Sequence, residues 1–157
     1  MKFDSFFIFF IVQIAIQQEI STIAIGKNTS WKQNSKMGER QNQSFCHVPH
    51  NLLIEMIIYK AKRKGIAVQV VEESYTSKAS FLDNDVIPTY GEEDIPIFSG
   101  TRIKRGLYRT KENKLLNADV NGAYNILKKA VPKAFADGIE GLCHRAAVST
   151  LLVLSTF

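Results

Sequence analysis

Two short apolar segments rich in β-branched residues flank a helical pattern, and this arrangement constrains the fold more than any other feature of the chain. The first segment, Ile20 to Ile25, is closed by Gly26, and the second runs from Ile66 to Val71. Between them, apolar residues recur at helical spacing from His50 to Lys64, and Gly65 follows directly. A strand, a crossover helix and a second strand imply parallel pairing with a right-handed connection. We therefore expect an α/β fold with two buried strands.

The N-terminus carries an apolar run from Phe6 to Ile16, eleven residues that are interrupted only by Gln13. This run is too short to cross a membrane, so we expect a buried helix from Ser5 to Glu19. Its length is also close to that of the hydrophobic part of a signal peptide. A small secreted or membrane-tethered protein is therefore an alternative, although the small residues of a cleavage site are lacking.

The rest of the chain divides into an irregular part and a last helix. Residues 72–116 contain two prolines and three glycines between short hydrophobic segments, which predicts an irregular insert or a small hairpin subdomain without a helix. The spacing then predicts a helix from Val120 to Ala130, with Asn117 or Asp119 as its N-cap. We accordingly divide the chain into residues 1–71, 72–116 and 117–157.

Composition narrows the class of protein. With 157 residues, 45% hydrophobic and 22% charged, the chain matches one globular domain and excludes disordered, collagen-like and multi-span membrane proteins. The two cysteines, Cys46 and Cys143, are not part of a Cys-x-x-Cys pair. They favour a reducing compartment, which predicts a cytoplasmic protein, and they provide no thiolate site for zinc.

Positive charge is concentrated near the C-terminal third. Between Phe98 and Lys133 there are nine Lys and Arg residues but only two acids, in a chain with a net charge of +5. Such a stretch suggests binding to nucleic-acid phosphates, although a solvated charged surface would have the same composition. The candidate nucleic-acid-binding residues are Arg102, Lys104, Arg105 and Lys128.

Carboxylates occur at two places that a parallel sheet could bring together. Glu72 and Glu73 follow the second strand, and Asp119 stands at the start of the last helix. Carboxylates that meet at a strand edge are suitable ligands for Mg²⁺. The alternatives are an N-cap role for Asp119 and a solvent-exposed loop for the glutamates. Asn121 and Asn125 share helical spacing with Asp119, so they either face the same groove or lie on the surface.

Three segments resemble the C-terminal part of the TnpB/OrfB proteins of insertion sequences: residues 59–66 (Tyr-Lys-Ala-Lys-Arg-Lys-Gly-Ile), residues 72–81 (Glu-Glu-Ser-Tyr-Thr-Ser-Lys-Ala-Ser-Phe) and residues 117–126 (Asn-Ala-Asp-Val-Asn-Gly-Ala-Tyr-Asn-Ile). That family consists of transposon-encoded, RNA-guided DNA nucleases. The resemblance implies an incomplete RNase H-like (RuvC-like) domain. It also implies Mg²⁺ as cofactor, DNA and guide RNA as partners, and a prokaryotic, nucleoid-associated protein.

The resemblance also assigns site residues. Asp119 matches the last RuvC carboxylate, in an Ala-Asp-x-Asn motif, whereas the position of the family's glutamate is occupied by Gly26. Glu73 is the expected substitute, with Glu72 as the alternative, so Asp119 and Glu73 are the candidate catalytic and Mg²⁺-binding residues. The family's first aspartate would precede residue 1, so we expect a C-terminal fragment with little or no activity.

The irregular region corresponds to the zinc ribbon of the family. The four positions that carry cysteine there are Ser80, Asp83, Arg109 and Glu112 in this chain, so we expect no zinc. The resemblance thus leaves two functions open. One is a part of an endonuclease that hydrolyses phosphodiesters with a metal ion. The other is a catalytically inactive nucleic-acid-binding remnant or regulator of transposition.

Overall fold

The structure of the chain, a computed structural model, describes residues 3–27, 50–92 and 96–135. The fold is mixed α/β, with a small parallel sheet and an antiparallel sheet. The chain divides into two compact units between Val70 and Val71. This division lies one residue before the first boundary expected from the sequence, and the second, between residues 116 and 117, lies inside the second unit, so the division into three parts stays a prediction. The polar stretch with Cys46 and the tail with Cys143 lie outside the described residues.

The first unit contains the strand, helix and strand that the sequence predicts. Helix α1 spans Phe3–Gln17, strand β1 spans Thr22–Lys27, helix α2 spans His50–Lys62 and strand β2 spans Ala67–Glu72. Helix α2 ends at Lys62, two residues before the expected end at Lys64, and Gly65 follows with a φ of +75°. The expectation of buried strands is wrong: all six residues of β1 are half-buried and three of the six residues of β2 are exposed, since among the described residues the sheet has only two strands.

Helices α1 and α2 form the core of this unit. The cluster of buried side chains consists of Val12, Ala15, Ala61 and Ile66. The expectation that α1 is buried holds for one stripe only, formed by Ile8, Val12 and Ala15. These residues recur at i, i+4 and i+7, so they face one side. Large apolar side chains elsewhere on α1 are exposed, and Phe6 reaches 74% exposure.

The second unit contains a small antiparallel sheet and the last helix. Strands β3 (Thr101–Lys104), β4 (Leu107–Arg109) and β5 (Leu115–Asn117) pair in the order β3-β4-β5. Helix α3 spans Ala118–Ala130 and is followed by a short 3-10 helix, Pro132–Phe135. Of the two alternatives for residues 72–116, the hairpin subdomain describes residues 101–117. The described residues between β2 and β3 form turns.

Two buried asparagines of α3 hold the turns that follow β2. Asn121 accepts a hydrogen bond from the Phe81 N–H at 3.0 Å and donates to the Ala79 carbonyl at 2.7 Å. Asn125 donates to the carbonyls of Thr76 and Ala79, both at 2.8 Å. Both asparagines are fully buried. This asparagine pair, Asn121 and Asn125, therefore fixes residues 76–81 against the helix.

We predict that Asn121→Ala lowers the free energy of unfolding by about 1–3 kcal/mol, because the buried N–H of Phe81 loses its partner. Chemical denaturation followed by circular dichroism measures this loss. Asn51→Ala is the matched control, since Asn51 is an exposed asparagine of α2 and its loss should change stability by less than about 0.5 kcal/mol. Equal effects of the two substitutions would contradict the role of the asparagine pair.

Candidate nucleic-acid and metal site

Asp119 is an exposed carboxylate at the start of α3. The N-cap is Asn117, whose side-chain oxygen accepts from the N–H groups of Asp119 at 2.8 Å and Val120 at 3.1 Å. The Asp119 side chain is 76% exposed and lies in the first turn, where the helix dipole favours negative charge. Of the two N-cap candidates, Asn117 therefore takes the role, and the Asp119 carboxylate does not cap the helix.

A hairpin with exposed cations lies beside this helix start. Strands β3 and β4 are joined at Arg105 and Gly106, and Gly106 has a φ of +76°. The Gly106 carbonyl accepts from the Ala118 N–H at 3.1 Å, which attaches the turn to α3. Arg102 lies 3.9 Å from Asp119. We call residues 101–109 the basic hairpin, and its exposed cations include Arg102, Lys104 and Arg105.

Lys128, the fourth expected cation, is engaged within the protein. Its amine donates to the Asn84 side chain at 2.6 Å and to the Asp85 carbonyl at 3.0 Å. Burial lowers the pKa of Lys128, and the charge of Asp85 opposes this effect only in part. Because its hydrogen bonds are made internally, Lys128 is less available to phosphate than the cations of the basic hairpin.

Glu72 lies at the opposite end of α3 from Asp119. Its carboxylate contacts Lys129 at 3.1 Å and accepts from the Ser74 N–H at 2.7 Å. Burial would raise the pKa of Glu72, but the hydrogen bonds from Ser74 and Lys129 together lower it below its usual value. Lys129 also donates to three backbone carbonyls. Ten residues separate Lys129 from Asp119, a rise of about 15 Å along the helix.

Glu73 follows Glu72, and its backbone is bound in the turn after β2. Its carbonyl accepts from the Thr76 N–H at 3.2 Å and from the Thr76 hydroxyl at 2.8 Å. The Thr76 carbonyl is in turn bound by Asn125, which lies about 9 Å along the helix from Asp119. These contacts locate the backbone of Glu73 and not its carboxylate, so the pairing of Glu73 with Asp119 stays a prediction. Within the described ranges, no three His, Cys, Asp or Glu side chains are grouped to hold a metal.

Two of the four positions that resemble zinc ligands, Ser80 and Asp83, lie in a group of hydrogen-bonded carboxylates and hydroxyls. Asp83 accepts from the Ser80 hydroxyl at 2.5 Å, the Lys111 N–H at 2.9 Å and the Ser99 hydroxyl at 3.2 Å. Asp85 accepts from the Ser80 N–H at 2.7 Å and from the Ser99 hydroxyl at 2.7 Å, so the single proton of that hydroxyl is shared between the two carboxylates and favours Asp85. We call Asp83, Asp85, Ser80 and Ser99 the carboxylate cluster. It joins three segments that are distant in sequence.

Tyr108 is buried close to this cluster. Its hydroxyl donates to the Lys78 carbonyl at 2.8 Å, and its side chain is fully buried. Burial, together with the charge of Asp85, raises the pKa of Tyr108 to about 12, so the hydroxyl remains a donor at neutral pH. Gly100 permits this packing, because a Cβ there would lie 2.6 Å from the Tyr108 ring.

Sequence reasoning does not identify several of these contacts. Asp85, Ser99 and Lys129 carry no local signal of an organising role, yet each makes several hydrogen bonds. The roles of Asn121 and Asn125 could be found from their spacing with Ala118. The three residues recur at i, i+3 and i+7, which is the spacing of a helix face that is turned toward a core.

Comparison with known proteins supports the resemblance at a broad level. Residues 50–126, just under half of the chain, match the family model described as Cas12f1-like, TNB domain. The match runs from α2 into α3 and includes the carboxylate cluster, the basic hairpin and Asp119. It supports a relation to TnpB- and Cas12-type nucleases. No curated protein matches the chain. In the described part of the chain, none of the helices has the length and apolar character needed to cross a membrane.

We predict that Asp83→Asn makes the free energy of unfolding less dependent on pH in the acid range. Burial would raise the pKa of Asp83, but hydrogen bonds from Ser80, Lys111 and Ser99 hold it below the ordinary value of 3.8. The charged form therefore stabilises the fold above that value, and this contribution is lost as the pH falls through the lower folded pKa. Denaturation midpoints between pH 7 and pH 2 measure the effect.

The control for this experiment is Glu112→Gln, since Glu112 pairs with Lys114 on the exposed surface. We expect Glu112→Gln to retain the acid dependence of the original chain. If Asp83→Asn and the original chain lose stability in parallel over the whole pH range, the carboxylate cluster does not stabilise the fold.

Proposed function

We propose that this chain binds nucleic acid as part of a TnpB- or Cas12-type RNA-guided nuclease, and that the basic hairpin contacts phosphate. The observation that carries the proposal is the exposure of Arg102, Lys104 and Arg105 on one hairpin, within the region that matches the Cas12f1-like domain. Cations grouped on an exposed hairpin release counterions when they neutralise phosphates, which favours binding without sequence preference.

The contact between Arg102 and Asp119 is compatible with this function. Both side chains are exposed, at 44% and 76%, and the 3.9 Å separation is at the long limit for an ion pair. Exposed pairs contribute only about 0–1 kcal/mol, so Arg102 can exchange Asp119 for a phosphate at little cost. In the absence of nucleic acid, Asp119 keeps the guanidinium at the helix start.

The finer proposal concerns the reaction of the nuclease. We propose a transposon-encoded DNA endonuclease in which Asp119 is a carboxylate ligand of Mg²⁺ and Glu73 is the second candidate. The Glu72 carboxylate is bound to Lys129, at the opposite end of α3 from Asp119, which does not favour an ion shared by these two acids, and no chemical step is assigned to Glu73. The same contacts favour the second candidate function, a nucleic-acid-binding protein without nuclease activity.

We predict that the combined substitution of Arg102, Lys104 and Arg105 by Ala weakens binding to DNA and RNA of every sequence. Each lost phosphate contact should reduce the slope of log affinity against log salt by about one unit, so the slope should fall by up to about three units. Fluorescence anisotropy of labelled duplexes at several salt concentrations measures it.

Lys133→Ala is the control for the basic hairpin, since Lys133 is an exposed cation of the same unit outside the hairpin. It should change the slope by less than one unit. A triple variant with the original slope would show that the phosphate-binding surface lies elsewhere.

We further predict that Asp119→Ala binds duplex DNA about two- to five-fold more tightly, because it removes a negative charge beside Arg102. With Mg²⁺, we expect little or no cleavage by the chain alone, since the Glu72 carboxylate is bound to Lys129 at the opposite end of α3 from Asp119. Gel assays with end-labelled DNA measure cleavage. Robust cleavage that Asp119→Ala abolishes would establish the endonuclease, whereas cleavage that survives Asp119→Ala would contradict the assignment of Asp119.

A further inference from the structure

The first unit has a groove between α1 and α2 that none of the functions above uses. The groove has a volume of about 270 Å³. It is lined by two apolar side chains, one amide and three cations, namely Phe9, Val12, Gln13, Lys60, Arg63 and Lys64. We call it the α1–α2 groove. These six lining residues include no acid, so the recess is cationic as well as partly apolar.

We propose that the α1–α2 groove binds one unpaired nucleotide of a single-stranded nucleic acid. In this arrangement the base stacks against Phe9, and the adjoining phosphates contact Lys60, Arg63 and Lys64. The proposal extends the proposed function to a second surface, in the other unit, and it rests on nucleic acid being the partner.

The apolar side of the groove suits an aromatic ring. Phe9 is 53% exposed, so about half of its surface is open to a ligand, whereas Val12 belongs to the core. The volume lies just below the usual range for small-molecule clefts, about 300–1,000 Å³, which suits one heteroaromatic ring better than a large cofactor. Bases stack on aromatic side chains regardless of sequence, because every base has a π-face.

On the cationic side of the groove, the Arg63 side chain is already partly ordered before a ligand binds. The Arg63 guanidinium lies 5.7 Å from the centre of the Tyr59 ring and donates to the Tyr59 hydroxyl at 3.5 Å. This stacking reduces the number of conformations that Arg63 loses on binding, so less entropy opposes a contact with phosphate. Lys60 lies one turn earlier on α2 and is half-buried, and Lys64 follows the end of the helix.

A helix-dipole role and a membrane-binding role for these cations both fit the groove less well. Cations near the C-terminus of α2 complement the helix dipole, but that effect requires neither a recess nor an exposed aromatic ring in it. An anionic membrane would attract the same cations together with the apolar face of α1. A membrane surface would engage protruding side chains such as Phe6, which is 74% exposed and does not line the groove. The concave placement of Phe9 among the cations favours a nucleotide.

The test uses the full chain and measures binding of a fluorescent 20-nucleotide oligo(dT) by anisotropy at several salt concentrations. We expect Phe9→Ala to weaken this binding by about five- to a hundred-fold, the range found for the loss of one stacked base. Phe9→Tyr should retain binding, because the ring is kept. Duplex DNA of the same length should bind Phe9→Ala as it binds the original chain, because its bases are already stacked.

A second variant tests the cations. The combined substitution of Lys60, Arg63 and Lys64 by Ala should reduce the salt slope for oligo(dT) by about two units, since each phosphate of a single strand contributes about 0.7. The controls are Phe6→Ala and Lys62→Ala, an exposed aromatic of α1 and an exposed cation of α2 outside the groove. Neither should change binding more than two-fold. Circular dichroism melts identify any variant that fails to fold.

Each outcome bears on the proposal. Unchanged oligo(dT) binding by Phe9→Ala and by the triple variant overturns it, as does an equal loss in Phe6→Ala, which would indicate a general apolar surface. Binding to phosphatidylserine vesicles that requires both Phe6 and Phe9, without an effect of Phe9 on oligo(dT), would assign the surface to lipid. If the groove variants lose oligo(dT) binding while the basic hairpin variants keep it, the proposal for the groove is supported and the assignment of phosphate contacts to the hairpin is wrong. The reverse result supports the hairpin and contradicts the proposal for the groove.

Discussion

The asparagine pair of α3 is the constraint on which the second unit depends. Asn121 and Asn125 occupy positions of the helix that face inward, where an apolar side chain would be the usual occupant, and the amide of each binds backbone groups of residues 76–81. A buried backbone group without a partner costs about 1–3 kcal/mol, so these turns have few alternatives once the helix forms. Phe81 then stacks on Tyr124 of the same helix at 4.6 Å. The turns lead directly into the carboxylate cluster, whose position is therefore fixed by the helix.

Much of the charge in this unit is engaged in its own architecture. In the sequence, acids are concentrated between Glu72 and Asp94 and cations between Phe98 and Lys133, as if each formed a separate surface. In the structure, the Lys129 amine binds the Glu72 carboxylate and three carbonyls, the Lys128 amine binds the Asn84 side chain and the Asp85 carbonyl, and Asp83 accepts from the backbone N–H of Lys111. Side-chain and backbone oxygens of residues 72–88 thus bind the two α3 lysines, and the Asp83 carboxylate binds the segment after β4. The cations of the basic hairpin make fewer contacts within the protein. For this reason we place the phosphate contacts on the hairpin rather than along the whole of residues 98–133.

The sequence predicts the bounds of the helices and strands better than the burial and contacts of their side chains. Helix α2 and both strands of the first unit lie within two residues of their expected bounds, because β-branched runs and Gly65 act locally. The exposure of α1 could not be predicted, since hydrophobicity shows that a side chain favours burial and does not show what buries it. The site is harder still: the spacing of Asn121 and Asn125 with Ala118 indicates a helix face turned inward, but it does not show which backbone groups they bind, because those groups lie 40 or more residues away. Tertiary contacts of that range leave no local signal.

The carboxylate cluster shows how a segment that resembles a zinc ribbon can be joined without thiolates. A structural zinc ion contributes folding free energy outright, through four strong bonds to one centre. Here, Asp83 accepts hydrogen bonds from Ser80 and Lys111 and shares the Ser99 proton with Asp85, and a hydrogen bond to a charged acceptor contributes about 1.5–3 kcal/mol. The individual bonds are weaker than metal bonds, but Tyr108 packs against Gly100 nearby and adds buried area to the same connection. Because the cluster depends on the charge of a carboxylate, its stability is coupled to protons, whereas the stability of a thiolate site is coupled to metal and to redox state.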